Sequence, residues 1–219
     1  MFKINKVMKV STIINSAIQS LELKKYLELG VSNGAIFLEI KAPVRVGVDP
    51  AENSCATVKE DLESYLTHSK ESFDVIYLNF FQSQNEFRQN FEKAMSLLSE
   101  KGVLFLKGIN PVAEIMQLEK KDQFLWTGDS WKYWVELRRD CSQLEMFSVN
   151  MHHGLGVIRR GKQELIQSKI DFTFEQFYKN KKRWLNLKEA NDSHVHVKNW
   201  SRKKPFEGRK ISPSIASAS

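Results

Sequence analysis

Apolar positions alternate along the chain between helical spacing and short continuous runs. Ile13, Ile14, Ala17, Ile18 and Leu21 recur at intervals of three and four behind Ser11, a candidate N-cap, and predict a helix over 11–25. The run Tyr26 to Leu29 predicts a short buried strand ending at Gly30 and Gly34. Ala35 to Ile40 reads as a helical segment, Val44–Val48 as a second strand stopped by Asp49-Pro50, and 56–68 as a helix. The segment SFDVIYLNF predicts a strand centred on Val75–Leu78. Phe87 to Leu98 reads as an amphipathic helix, and a turn at Lys101-Gly102 leads into a strand over Val103–Leu106. Further helices are expected over 112–119, from near Asp129 to Arg139, and from Phe174 to Leu187. Between the last two, 144–149 and 154–160 read as strands joined by a short turn carrying His152 and His153.

Strands alternating with helices at this spacing imply βαβ units and a sheet covered on both faces. The expected fold is α/β: a Rossmann-like, doubly wound, mostly parallel seven-stranded sheet with an antiparallel edge strand. The 219 residues, 42% of them hydrophobic, suit one such domain over 1–187. Residues 188–219 read as a basic, disordered tail without apolar periodicity. Net charge follows the same division. From Tyr178 onward eleven Lys and Arg face three acids, giving +8, and the remainder of the +7 chain carries −1. Cys55 and Cys141 lie far apart and suggest neither a disulfide framework nor a zinc knuckle. No signal-peptide pattern and no spanning apolar run is read, so a cytoplasmic location is expected.

Two features point to chemistry. Gly30 and Gly34 follow a buried first strand, where bare backbone lets amides approach a ligand at the carboxyl ends of an open sheet. Asp49 closes the next strand, where a carboxylate can accept both hydroxyls of an adenosine ribose. The spacing E-x-G-x-x-x-G differs from the dinucleotide pattern G-x-G-x-x-G and favours S-adenosylmethionine (SAM).

The run YLELGVSNGAIFLEIKAPVRVGVDP resembles the class I SAM-dependent methyltransferases of the bacterial methyltransferase-domain-24 type. The resemblance continues through FDVIYLN, LLSEKGVLFLKGINP, WTGDSWK, GLGVIRRG and FEQFYKNKKRWLNL, so it spans nearly all of 20–187. It implies that Glu28, Gly30, Ser32 and Gly34 shape the cofactor pocket, that Asp49 holds the ribose and that Asp61 sits near the adenine. It also implies an acceptor site. Where the family has I-D-G-x-H and L-H-D-x-x-P, this chain has Leu78-Asn79-Phe80-Phe81-Gln82 and Leu106-Lys107-Gly108-Ile109-Asn110-Pro111. Asn79, Gln82 and Lys107 thus stand where such an enzyme recruits a base or a divalent cation. Neutral amides bind a hard cation poorly and accept no proton near neutrality, so no metal is expected. Asn79 can still accept a hydrogen bond from the cofactor's ammonium group. Trp126, Asp129, Trp131, Lys132 and His153 are candidates for an acceptor lid, with packing and helix capping as the competing roles for Trp131 and Asp129.

The expected activity is SAM-dependent O- or N-methylation of a small molecule or sugar intermediate. The alternative is a catalytically impaired SAM-binding protein with a scaffold or regulatory role. The segments 179–183 and 198–210, with Trp184, Trp200 and Phe206, offer a lesser reading as a contact for nucleic acid or an anionic membrane.

Overall fold

The computed structural model describes residues 8–118 and 126–200. Seven strands form one mixed sheet: β1 (Lys25–Leu29), β2 (Val44–Val48), β3 (Phe73–Leu78), β4 (Leu98–Lys107), β5 (Leu144–Asn150), β6 (Leu155–Arg160) and β7 (Leu187–Glu189). Their order is β2-β1-β3-β4-β6-β5-β7. β6 runs antiparallel to both β4 and β5, while the β1–β2, β1–β3, β3–β4 and β5–β7 pairs are parallel. The chain leaves β1 for β2 on one side, then crosses to β3 on the other. The switch point therefore lies between β1 and β3, with the carboxyl ends of four parallel strands around it.

Alternation along each strand divides the core into two layers. Leu27 and Leu29 of β1, Ile76 and Leu78 of β3, and Leu104 and Leu106 of β4 face one layer. Helices α2 (Leu62–His68), α3 (Gln84–Leu97), α4 (Trp131–Asp140) and α5 (Phe174–Trp184) complete it. Tyr26, Val75, Tyr77, Val103 and Phe105 face the other layer, under α1 (Val10–Leu21) and α6 (Ala190–Lys198). Helix α3 starts with a capping box. The Ser83 side chain accepts from the Glu86 N–H, and the Glu86 carboxylate accepts from the Ser83 N–H, which satisfies two otherwise orphaned donors. Helix α5 begins at Thr173, whose hydroxyl caps the Gln176 N–H. It ends with Lys181, Lys182 and Arg183, which suit the negative end of the helix dipole.

Several elements differ from the sequence-based expectation. The helix expected over 56–68 is confined to Leu62–His68, because Thr57 and Val58 instead donate to the Gly47 carbonyl (both 2.9 Å) and extend the edge of β2. The segment 35–40 and residues 112–118, the described part of the expected helix 112–119, contain only single 3-10 turns, Phe37–Glu39 and Glu114–Gln117. The domain does not end at 187. Residues expected to form a disordered tail supply β7 and α6, and Val197 and Trp200 are buried in the layer under α1. The polar side chains of α6 hold it there. His194 Nδ1 lies 2.8 Å from Ser16 Oγ, His196 Nε2 lies 3.1 Å from Glu145, and the Arg159 guanidinium stacks on the Trp200 ring at 4.4 Å. The basic stretch from 201 onward, with Phe206, lies outside the described residues. No helix among the described residues is long and apolar enough to cross a membrane.

Candidate functional site at the carboxyl ends of β1 to β4

The first bend is built on backbone. Gly30 has φ +86°, and a Cβ there would lie 3.0 Å from the Asn79 carbonyl oxygen, so both conformation and space require glycine. Its N–H donates to Val48 at 2.9 Å, and the Asn79 N–H donates to Leu29 at 2.9 Å, which ties the ends of β1, β2 and β3 together. Ser32 also adopts a positive φ, +51°, and this turns its N–H onto Asp49 Oδ2 at 2.8 Å. Asp49 Oδ1 accepts from the Ala51 N–H at 2.9 Å. Asp49 is thus almost buried and aimed at the glycine bend, and each oxygen keeps a second lone pair. Gly34, at φ +77°, packs against Cys55, whose N–H donates to the Ser32 carbonyl at 2.8 Å. Residues around Cys55 therefore form one wall of the bend.

Beneath the bend, Glu28 is fully buried. Tyr26 Oη donates to its Oε2 at 2.6 Å and Asn79 Nδ2 to its Oε1 at 2.9 Å. Burial pushes its carboxyl up to about 7, against the pull of those two hydrogen bonds and the Lys107 charge. Glu28 consequently changes charge near neutral pH.

The ends of β3 and β4 form the second half. Lys107 is half-buried, with its ammonium 4.6 Å from the centre of the Phe81 ring. Burial lowers its pKa, opposed by the charge of Glu28. His153 meets the same Phe81 ring edge-on at 5.8 Å. Its pKa is lowered by burial, then by His152 and Lys107.

Other expected site residues have different places. Gln82 is fully buried and turned toward α3, where its Oε1 accepts from Asn90 Nδ2 at 2.9 Å. Trp131 is core, not lid. It is fully buried among Phe172, Phe177 and Trp184, with its Nε1 donating to Gln117. Asp129 caps α3, not the helix that follows it: Oδ1 accepts from the Gln84 N–H at 2.7 Å and Oδ2 from Lys132 at 2.9 Å. Asp61 is exposed and caps α2 through the Ser64 N–H at 2.9 Å. Trp126 is half-buried, its Nε1 on the Leu118 carbonyl at 3.0 Å. Phe81 was not singled out by sequence reasoning, and nothing but its place after the third strand marks it. A surface cavity of about 490 Å³ opens elsewhere, between Glu114 and the start of α5, and none of these residues lines it. Among the described residues no group of three or more His, Cys, Asp or Glu side chains is placed to hold a metal ion.

The architecture has solved counterparts. An S-adenosylhomocysteine-bound methyltransferase of Podospora anserina, PaMTH1, superposes with a TM-score of 0.50 at 15% identity, over 69% of this chain and 76% of that one. A SAM-dependent methyltransferase of Clostridium acetobutylicum gives 0.51 at 13% identity, over 69% and 90%. SAM-bound CalS10, an amino pentose methyltransferase of Micromonospora echinaspora, gives 0.50 at 15% identity, over 69% and 89%. The fold is that of the class I methyltransferases. At such identities the likeness is one of fold. No family model matches the sequence, and no curated protein matches it significantly.

Proposed function

We propose that this chain binds SAM across the carboxyl ends of β1 and β2 and methylates an oxygen or nitrogen of a small molecule or sugar intermediate held beyond β3 and β4. The observation that carries the reading is the convergence, at the switch point of the sheet, of a glycine bend, an inward-facing Asp49 and the buried Glu28 bonded to the partly exposed Asn79. The residues fit such a cofactor. Gly30 leaves the backbone bare at the bend, and the free lone pairs of Asp49 suit a ribose diol. Two backbone N–H groups hold that carboxylate in place before any ligand arrives, so little ordering is needed on binding. Asn79 links the bend to Glu28 and fixes the carboxyl beneath it. When bound, SAM supplies an electrophilic methyl group on a sulfonium sulfur. The contribution of the protein is then positioning and exclusion of water. The methyltransferase fold, and neighbours described as SAM- or S-adenosylhomocysteine-bound, support the same reading.

Calorimetric titration with S-adenosylhomocysteine tests it. Binding in the micromolar range is expected, and Asp49→Ala should weaken it at least tenfold, about 1.4 kcal/mol. Absence of binding heat from protein whose circular dichroism is intact would refute the proposal.

A further inference from the structure

In the far half of the site the charge of Lys107 is acted on by that of Glu28 but is not paired with it. Lys107 ends β4 half-buried, and no carboxylate lies within ion-pairing distance of its ammonium among the described residues. The acids around the strand ends are already engaged. Glu28 holds Tyr26 and Asn79, Asp49 holds two backbone amides, and Asp129 holds Gln84 and Lys132. Lys107 is instead laid on Phe81, whose ring packs so close to the backbone of Gly108 that a Cβ there would meet it at 2.5 Å. His153 meets that ring edge-on at 5.8 Å, and its Nδ1 is buried with no hydrogen-bond partner.

A partly desolvated cation with no ion-pair partner among the described residues is a costly arrangement unless a ligand completes it. A carboxylate does so. It accepts charge-assisted hydrogen bonds from the Lys107 ammonium. The half-exposed Phe81 ring gives the ligand's carbon body an apolar surface. We infer that Phe81, Lys107 and His153 form the acceptor subsite and that it takes a small molecule bearing a carboxylate on an apolar or aromatic body. The assignment rests on the methyl-transfer reading for the word acceptor, while the anion site stands on its own geometry. Gln82 is turned away from this subsite, and burial, His152 and Lys107 lower the pKa of His153. A carboxylate that is itself the methyl acceptor has no proton to remove: its oxygen bonds the methyl carbon as the carbon–sulfur bond of SAM breaks, and that electron pair leaves with the sulfur.

Amide NMR titration of the full chain at pH 7 with benzoate and with benzamide, its neutral counterpart, tests this with and without saturating S-adenosylhomocysteine. Benzoate should bind at least tenfold more tightly and shift the Gly108 and Phe81 amides. Lys107→Met should remove the preference, and Lys107→Arg should keep most of it. Equal affinity for the two probes, no benzoate binding, or a preference that survives Lys107→Met would overturn the inference. Benzoate binding without S-adenosylhomocysteine binding would leave the anion site standing and remove the methyl-donor reading; the reverse pattern would do the opposite.

Discussion

The two halves of the strand-end site differ in how completely their polar groups are satisfied. Around β1 and β2, both oxygens of Glu28 and both oxygens of Asp49 have donors, and the backbone of Gly30 and Asn79 is tied into the neighbouring strands. Around β3, β4 and β6, Lys107 lies on an aromatic face with no ion-pair partner among the described residues, and His153 Nδ1 and Asn110 Oδ1 are buried without hydrogen-bond partners. The first half is a finished framework that a ligand can use through spare lone pairs and bare backbone. The second is unfinished in the free protein. A buried polar group left unpaired costs about 1–3 kcal/mol, so the second half carries a cost that a polar ligand can relieve and the first does not.

Substitutions can break or sharpen that contrast. The largest effect is expected from Trp131→Ala, which empties a fully buried aromatic cluster and should cost about 3–5 kcal/mol in urea unfolding. If Trp131 instead belonged to the open half, stability would barely change and probe binding would fall. Next is the pH dependence set by Glu28. Its carboxyl moves from 4.5 to about 7 on folding. The folded protein therefore holds that proton more tightly than the unfolded chain, and stability should decline as pH rises through this window, by on the order of 3 kcal/mol. Glu28→Gln, neutral at every pH, should flatten the slope between pH 5 and 8 in denaturant titrations. A steep slope that persists in the variant would show that the closed half does not confine Glu28. The smallest effect belongs to Asp61→Ala, which removes a helix cap and should cost about 1 kcal/mol. S-adenosylhomocysteine affinity should stay unchanged. A loss of affinity would move Asp61 from the surface into the cofactor half.

Much of the framework was legible because its signals are local. The β2 strand is Val44–Val48 in both sequence and structure, and the apolar run of β3 and the helix around Phe87–Leu98 carry the periodicity of their elements. The glycine bend was legible for the same reason: positive φ and close approach are written in the residue type. For Asp129 capping was only the competitor to a place in the acceptor lid, and it was expected on the helix that follows; the side chain caps α3 instead, across 45 positions of sequence. Helix α6 was missed because its buried stripe is narrow. Only Ser193, Val197 and Trp200 turn inward, and the anchors for His194, His196 and Trp200 come from α1, β5 and β6.

Sequence alone thus determined the order along the chain of the first six strands and of helices α1 to α5, the glycine bend after β1 and the acid that closes β2, because backbone conformation and burial period are properties of neighbouring residues. Tertiary structure alone decided which polar groups are satisfied. It gave Glu28 its two donors, hid Gln82 and Trp131, and laid Lys107 on Phe81 with no ion-pair partner among the described residues. Hydrogen-bond satisfaction and desolvation depend on what distant segments bring to the same point, and no local pattern records that.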